Sequence, residues 1–189
     1  MTSALNDPTS LVWTDEDISR FERPGYRVEI IDGSLHVTPP ANEWHQEVEA
    51  NARVVIKLTC PDGWRVRQQR GVMAGLERFI PDVVVLVPGA PVEPEWLPAE
   101  FVALAIEVES RWTRKDDRGS KAIAYAEAGI PTYWRIEHGN DGPIVHVYEL
   151  PAKADEYTLV RSVRPGETYE VTKPFPMTID PRSLAEGLS

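Results

Sequence analysis

The sequence is poor in cysteine and has no long apolar segment. Its only cysteine is Cys60, so an internal disulfide and a multi-cysteine zinc site are both excluded. No apolar run approaches the roughly 20 residues that a membrane-spanning helix requires. Residues 1–7 contain neither the basic nor the apolar part of a signal peptide. We therefore expect a cytoplasmic protein with no membrane partner.

Basic residues are also in the minority. The chain has 20 lysines and arginines against 30 aspartates and glutamates, a formal net charge of −10. Strong non-specific binding to nucleic acid requires basic side chains that neutralise phosphates, and this balance argues against it. A local basic surface is still compatible with the composition, because net charge governs solubility and affinity rather than chemistry.

The length predicts one domain over residues 1–189, with a loose tail at 1–10 and a core at about 26–150. Strands at 26–31 and 35–38 flank Asp32-Gly33, a strong hairpin signal. A core helix is predicted from about 43 to 58.

That helix begins after Asn42, a good N-cap residue, and carries His45 in its first turn. His45 lies one turn from Glu49. Taken alone, a histidine near a helix start is more often a surface or capping residue than a catalytic one.

Two apolar runs form the centre of the chain, at 80–87 and 101–109. Each is rich in β-branched and aliphatic residues, the pattern of a strand buried on both faces. Carboxylates interrupt both runs: Asp82 opens the first, and Glu107 and Glu109 close the second. A buried, unpaired carboxylate costs several kcal/mol, so such residues are usually partnered. A divalent metal ion is one natural partner.

A charged segment at 110–121 follows and leads into a helix that ends at Gly129, where Pro131 prevents continuation. Residues 130–136 return as a strand. Further strands at 144–150, 157–163 and 169–171 predict an antiparallel extension, and 181–186 a short closing helix. The chain therefore combines strands and helices.

This arrangement suits metal-assisted hydrolysis of a phosphodiester. Mg²⁺ prefers oxygen ligands, and a bound divalent ion polarises the phosphoryl oxygen and activates a water. A nearby lysine stabilises developing charge. Asp82, Glu107, the carbonyl of Val108 and Lys121 are the candidates for this machinery. Three of them have an ordinary interpretation when taken alone. Asp82 is then a turn acid, Glu107 a strand-end residue in an ion pair, and Lys121 a solvated helix residue.

The longer pattern resembles the Uma-type family of restriction endonucleases, within the PD-(D/E)XK nuclease superfamily. The resemblance covers roughly residues 26–150. Its motifs are Pro81-Asp82, Glu107-Val108-Glu109-Ser110, Thr113-Arg114, Asp117-Arg118-Gly119-x-Lys121, Tyr125, Gly129-Ile130-Pro131 and Tyr133-Trp134.

The resemblance implies a restriction-endonuclease-like fold of the α/β class, an α+β mixed sheet with flanking helices. It also implies an enzyme that cleaves DNA with Mg²⁺, or with Mn²⁺ in its place, bound between the two acidic strand ends. The family's metal-binding acids correspond to Asp82 and Glu107, and its lysine corresponds to Lys121. Its histidine at the start of the first core helix corresponds to His45. Asp117 corresponds to a loop acid that orders the loop or the lysine.

The chain departs from the family pattern in two places. Glu109 stands where the superfamily signature has its lysine, and two readings stay open for it. It acts as a further ligand or base, or it forms an ion pair with Arg111 or Arg114. The loop Ser110-Arg111-Trp112-Thr113 also differs from the family's usual loop. A phosphate-facing rim is also suggested, although each of its basic residues taken alone is more often part of a solvated face; the candidates are Arg65, Arg67, Arg70, Arg111, Arg114 and Lys115. The predicted substrate-binding residues are Arg70, Arg111, Arg114 and Asp117.

Three hypotheses about function follow. The first is a Mg²⁺-dependent DNA endonuclease that uses a metal-activated water. The second is a catalytically inactive binding or scaffold protein on the same fold, suggested by the acidic balance and by Glu109. The third is hydrolysis of RNA or of another phosphoester. Cleavage of both DNA strands needs two active sites, which favours a symmetric homodimer.

Overall fold

The computed structural model describes residues 12–110 and 119–187. Their helices and strands are α1 (Asp15–Phe21), β1 (Arg27–Ile31), β2 (Ser34–Thr38), α2 (Glu43–Thr59), β3 (Arg65–Gln68), β4 (Val72–Ala74), β5 (Glu77–Phe79), β6 (Val83–Leu86), β7 (Leu97–Pro98), β8 (Val102–Val108), α3 (Ser120–Glu127), β9 (Thr132–Gly139), β10 (Gly142–Glu149), β11 (Thr158–Val163), β12 (Tyr169–Val171) and β13 (Met177–Ile179). Two 3-10 turns lie at Ala99–Phe101 and Pro181–Ala185.

The central element is a mixed six-stranded sheet with the order β11-β10-β9-β8-β6-β3. Strand β8 pairs in parallel with β9 and antiparallel with β6. A second sheet has the order β2-β1-β5-β4-β7, and β12 with β13 forms a separate ribbon. The predicted mixed sheet with flanking helices and an antiparallel extension is confirmed.

The two central strands β6 and β8 are buried on both faces, as the two apolar runs predicted. Val83, Val85 and Ile106 belong to one core with α2 and the C-terminal ribbon. Val84 and Ala105 belong to a second core with α3 and the five-stranded sheet. Because side chains alternate along a strand, each run supplies both cores, and no polar face is left for solvent.

The predicted hairpin is present. Strands β1 and β2 pair antiparallel from Arg27 with Thr38 to Ile31 with Ser34. The two residues between them have positive φ, 51° at Asp32 and 65° at Gly33. A two-residue turn of this kind matches the twist of the strands and favours Asp-Gly.

The core helix begins as the sequence indicated. The Asn42 side chain accepts a hydrogen bond of 2.9 Å from the amide of His45. His45 itself is buried, so the reading of this residue as a surface group is wrong. The cap satisfies one amide of the first turn and fixes where the helix begins. The start of the helix in turn sets the position of the His45 ring.

Several elements differ from the predictions. The strand bounds are narrower than predicted: Asp82 lies one residue before β6 and Glu109 one residue after β8, so these acids are at the strand ends, as expected, but just outside the strands. The closing helix at 181–186 is a 3-10 turn. Strands β4, β5, β7 and β13 were not predicted, because runs of two or three residues carry too little periodicity.

Two predicted segments fall outside the described residues: the loose tail at 1–10, and most of the charged segment that precedes α3. Across the part of the chain that is described, no helix is both long and apolar enough to cross a bilayer.

Leu104 tests whether strand β8 of the central sheet is buried on both faces. This side chain is fully buried in β8, whereas Leu58 on α2 is 82% exposed. Leu104→Ala removes buried methyl groups and leaves a cavity, so we expect a loss of roughly 2–5 kcal/mol in the free energy of unfolding. Leu58→Ala is the matched control, with an expected change within about 0.5 kcal/mol. Urea denaturation of both variants measures the difference, and equal losses would contradict this packing.

Candidate active site

The candidate site is built around Asp82, whose side chain is 1% exposed. Strands β6 and β8 are antiparallel, so the start of β6 and the end of β8 meet at one edge of the central sheet. There the amide of Val108 donates a hydrogen bond of 2.7 Å to Asp82 Oδ2. The backbone is held as well, since the amide of Gln69 donates to the Asp82 carbonyl at 3.0 Å. The carboxylate is therefore fixed in position and orientation.

Helix α2 brings two further polar side chains to Asp82. His45 Nε2 lies 3.1 Å from Asp82 Oδ1 and 3.9 Å from Glu49 Oε2. All three residues are buried, and one ligand atom from each lies within 4.8 Å of the others. The side-chain amides of Gln68 and Gln69 donate to Glu49 at 3.1–3.2 Å and hold it in place.

The ring of His45 is close to Asp82 but poorly aligned with it. Although Nε2 is at ion-pair distance, neither ring nitrogen makes a well-oriented hydrogen bond to any residue in the described ranges. A buried nitrogen normally has a hydrogen-bond partner. Two acids and an imidazole at this separation form a donor set that a divalent transition metal would satisfy.

A second charged group lies around Lys121 of α3. The Lys121 ammonium is 3.0 Å from Glu29 Oε1 and 3.1 Å from Glu107 Oε1. The hydroxyl of Tyr125 donates to the same Glu107 oxygen at 2.9 Å, and the amide of Ile80 donates to Glu29 at 2.8 Å. Lys121 is 1% exposed, so the reading of it as a solvated helix residue is wrong.

Arg27 of β1 lies between these two groups. Its guanidinium donates a hydrogen bond of 2.7 Å from Nη2 to Asp82 Oδ1. Burial alone would lower the pKa of Arg27, but attraction to Asp82, Glu29 and Glu107 outweighs burial and raises it. Arg27 therefore stays charged and attracts carboxylates of both groups.

The surrounding charges set the protonation of the site. Burial would raise the pKa of Asp82, but Arg27, His45 and the Val108 amide hold it well below its usual range. Burial would lower the pKa of His45, but its contact with Asp82 raises it. Burial and the nearby Asp82 raise the pKa of Glu49. Asp82 is thus held in its ionised form, as a metal ligand must be.

Glu109 has a partner that the sequence did not suggest. Its carboxylate forms a buried ion pair with Arg135 of β9, and Arg135 also donates to the hydroxyl of Tyr148 at 3.1 Å. The suggested partners Arg111 and Arg114 lie outside the described residues, as does Asp117. A role for Glu109 as ligand or base stays a prediction.

Two other predicted residues have contacts of a different kind. Arg70 donates from its guanidinium to the carbonyls of Val92 and Pro94, so it is directed to the proline-rich segment between β6 and β7. Its role in substrate binding stays a prediction. For Val108, the contact seen is made by its amide, and the predicted use of its carbonyl as a metal ligand also stays a prediction.

Sequence reasoning missed Glu29, Glu49 and Arg27 as site residues. Glu29 interrupts a run that is otherwise apolar, Val28-Glu29-Ile30-Ile31, and it is 1% exposed. Glu49 lies on the apolar side of α2 between Val48 and Ala52. The rule that selected Asp82 and Glu107, a carboxylate within an apolar pattern, would have found both. No comparable signal marked Arg27.

Comparison with known proteins identifies the family. A family model described as "Putative restriction endonuclease", Uma2, matches residues 15–185. The chain belongs to the Uma2 family. The predicted resemblance is confirmed, and it extends beyond the 26–150 core to α1 and the C-terminal ribbon. None of the curated proteins matches this Uma2-family chain significantly.

A solved structure shares the fold of this Uma2 protein. It is the crystal structure of "a putative nuclease belonging to DUF820" from Anabaena variabilis ATCC 29413. The TM-score is 0.68 at 15% sequence identity, over 89% of this chain and 95% of that chain. At that identity the likeness supports the fold alone.

Lys121 provides a test of the second charged group. Replacing it in Lys121→Met removes the ammonium that lies between Glu29 and Glu107. Breaking a buried ion pair from one side costs about 3–5 kcal/mol in the free energy of unfolding, because the remaining charges stay buried. Lys57→Met, at an exposed position on α2, is the matched control with an expected change within about 0.5 kcal/mol.

Chemical denaturation of the two variants at neutral pH gives the comparison. Adding Glu107→Gln to Lys121→Met should recover part of the lost stability, since it removes one of the facing charges. A Lys121→Met protein as stable as the control would show that the ammonium does not balance these carboxylates.

Proposed function

We propose that this member of the Uma2 family is a divalent-metal-dependent endonuclease that hydrolyses DNA phosphodiester bonds. The observation that carries the proposal is the state of Asp82. This buried carboxylate is ionised, oriented through Oδ2 by the Val108 amide, and directed through Oδ1 towards His45. The buried imidazole beside it makes no well-oriented hydrogen bond to any described residue, and such a nitrogen is a suitable ligand for a divalent transition metal.

The donors around Asp82 fit a divalent metal. Asp82 and Glu49 would supply carboxylate oxygens and His45 a ring nitrogen, from ligand atoms within 4.8 Å of one another. Carboxylates suit both Mg²⁺ and Mn²⁺, and the imidazole favours Mn²⁺ because hard Mg²⁺ prefers oxygen. When bound, such an ion polarises a phosphoryl oxygen and lowers the pKa of a coordinated water.

The chain's own residues supply the positioning. Glu107 corresponds to the second metal-binding acid of the family pattern, and that role is part of this proposal. Its Oε1 is oriented by the Lys121 ammonium and by the Tyr125 hydroxyl. Burial, followed by the charge of Glu107, raises the pKa of Tyr125, so that hydroxyl remains a donor. Lys121 orients Glu107 through their ion pair. We also propose that its ammonium stabilises the negative charge that develops on the phosphate.

The proposed substrate and assembly follow the sequence predictions. DNA would be held by local contacts, since the net charge of −10 opposes a general attraction. Arg70, Arg111, Arg114 and Asp117 remain the proposed substrate-facing residues. The chain is proposed to act as one domain, and as a symmetric homodimer when both strands are cut.

Plasmid cleavage tests the assignment. We expect the wild-type protein to nick supercoiled DNA in Mn²⁺ or Mg²⁺ but not in EDTA. Asp82→Asn and Glu107→Gln should each lower the rate at least about a hundredfold, equivalent to about 2.7 kcal/mol of lost transition-state stabilisation. Asp155→Asn and Glu170→Gln make the same chemical changes at exposed positions and should leave the rate unchanged. Cleavage that survives Asp82→Asn would remove this proposal.

The inactive-scaffold hypothesis makes a different prediction about metal. A scaffold that merely keeps the fold should bind neither Mn²⁺ nor Mg²⁺, whereas the proposed nuclease should bind at least Mn²⁺ through Asp82. Isothermal titration of the wild-type protein and Asp82→Asn with MnCl₂ separates the two. Parallel assays with plasmid, single-stranded DNA and RNA then distinguish the third hypothesis, because each substrate presents a phosphodiester on a different scaffold.

A further inference from the structure

Two nitrogen atoms approach Asp82 Oδ1. Arg27 Nη2 lies 2.7 Å from it and donates a hydrogen bond, whereas His45 Nε2 lies 3.1 Å from it but is poorly aligned. The other oxygen, Oδ2, is already used by the Val108 amide at 2.7 Å. A metal ion that binds Asp82 beside His45 must therefore compete with Arg27 for this oxygen.

The charge of Arg27 reaches the whole donor set. Arg27 Nη2 and His45 Nε2 approach the same Asp82 oxygen, and Glu49 Oε2 lies 3.9 Å from His45 Nε2. Arg27 also attracts Glu29 and Glu107 of the neighbouring group. A second cation placed among these residues would be repelled by the guanidinium unless that group moved away.

Arg27 is placed so that such a movement is local. It is the first residue of β1, and its side chain is 14% exposed, against 5% for His45 and 1% for Asp82. It lies at the solvent-facing border of a site whose other members are enclosed. Release of the guanidinium from Asp82 would require a change of rotamer in a single side chain at the start of a strand.

We propose that Arg27 is the counter-ion that holds Asp82 Oδ1 until a divalent metal takes that oxygen, so that Arg27 sets the metal affinity of the site. The inference rests on the proposed function, in which Asp82 is a metal ligand. Arg27 is a positioning residue in this scheme. It keeps a buried carboxylate balanced in the metal-free protein, and it weakens metal binding by the same interaction.

Calorimetric titration of the full-length protein with MnCl₂ tests the proposal. Arg27→Met, which keeps much of the side-chain volume and removes the charge, should bind Mn²⁺ at least about tenfold more tightly than the wild type. Arg27→Lys retains a cation and should stay closer to the wild type. Arg78→Met is the matched control, because Arg78 lies on the neighbouring strand β5 and pairs with Asp15 outside the site. Its Mn²⁺ affinity should not change.

A double variant shows whether the gain passes through Asp82. In an Asp82→Asn background, adding Arg27→Met should give no increase in Mn²⁺ affinity, because the contested oxygen no longer carries charge. Thermal unfolding gives an independent readout. Arg27→Met should melt below the wild type in EDTA, and Mn²⁺ should raise its melting temperature by more than it raises that of the wild type.

The outcomes separate this inference from the function on which it rests. If the wild type binds Mn²⁺ and Arg27→Met binds it no more tightly, Arg27 is not a competitor, while Asp82 remains a ligand. If the gain persists in the Asp82→Asn background, the effect is general electrostatics and the proposal is wrong. If neither protein binds Mn²⁺, both the proposal and the metal-dependent function fail. If Arg27→Met does not fold without metal, Arg27→Gln replaces it with the same expectation.

Discussion

The buried carboxylate of Asp82 is the constraint on which the arrangement of the site depends. An ionised acid at 1% exposure is tolerated only when partners replace its hydration. Here those partners come from three separate parts of the chain: Arg27 on β1, His45 on α2 and the Val108 amide on β8. If one of these partners were missing, the Asp82 carboxylate would remain buried with less of its hydration replaced. The second sheet, the core helix and the central sheet are therefore tied together at one point.

The two cores on either face of the central sheet offset the cost of burying these charged groups. Strands β6 and β8 contribute alternate side chains to both cores, so their backbones are fixed from two sides. A polar cluster at the strand ends of so rigid a sheet keeps its geometry, although breaking one of its ion pairs from one side is costly. Replacing buried ion pairs by apolar residues often stabilises a protein. A cluster of this size, retained within an apolar framework, is the pattern expected of a functional site.

The sequence predicted the parts of the site that share a local signal. Asp82 and Glu107 interrupt apolar runs, and the hairpin at Asp32-Gly33 and the cap at Asn42 are encoded within a few residues. Glu29 carried the same signal and was overlooked. The pairing of Glu109 with Arg135 was beyond reach, because it depends on how β9 lies beside β8. Arg27 was beyond reach for the same reason, since 55 positions separate it from Asp82.

Strand β8 couples the two charged groups through consecutive residues. The Glu107 side chain meets Lys121 and Tyr125, and the next residue, Val108, gives its amide to Asp82. The position of the end of β8 therefore affects both contacts. The two groups are linked through side chains as well, because the charge of Arg27 attracts Asp82, Glu29 and Glu107. The His45 ring contacts Asp82 directly, with 3.1 Å between Nε2 and Oδ1. Main chain and side chains thus hold the two charged groups together at the end of one strand.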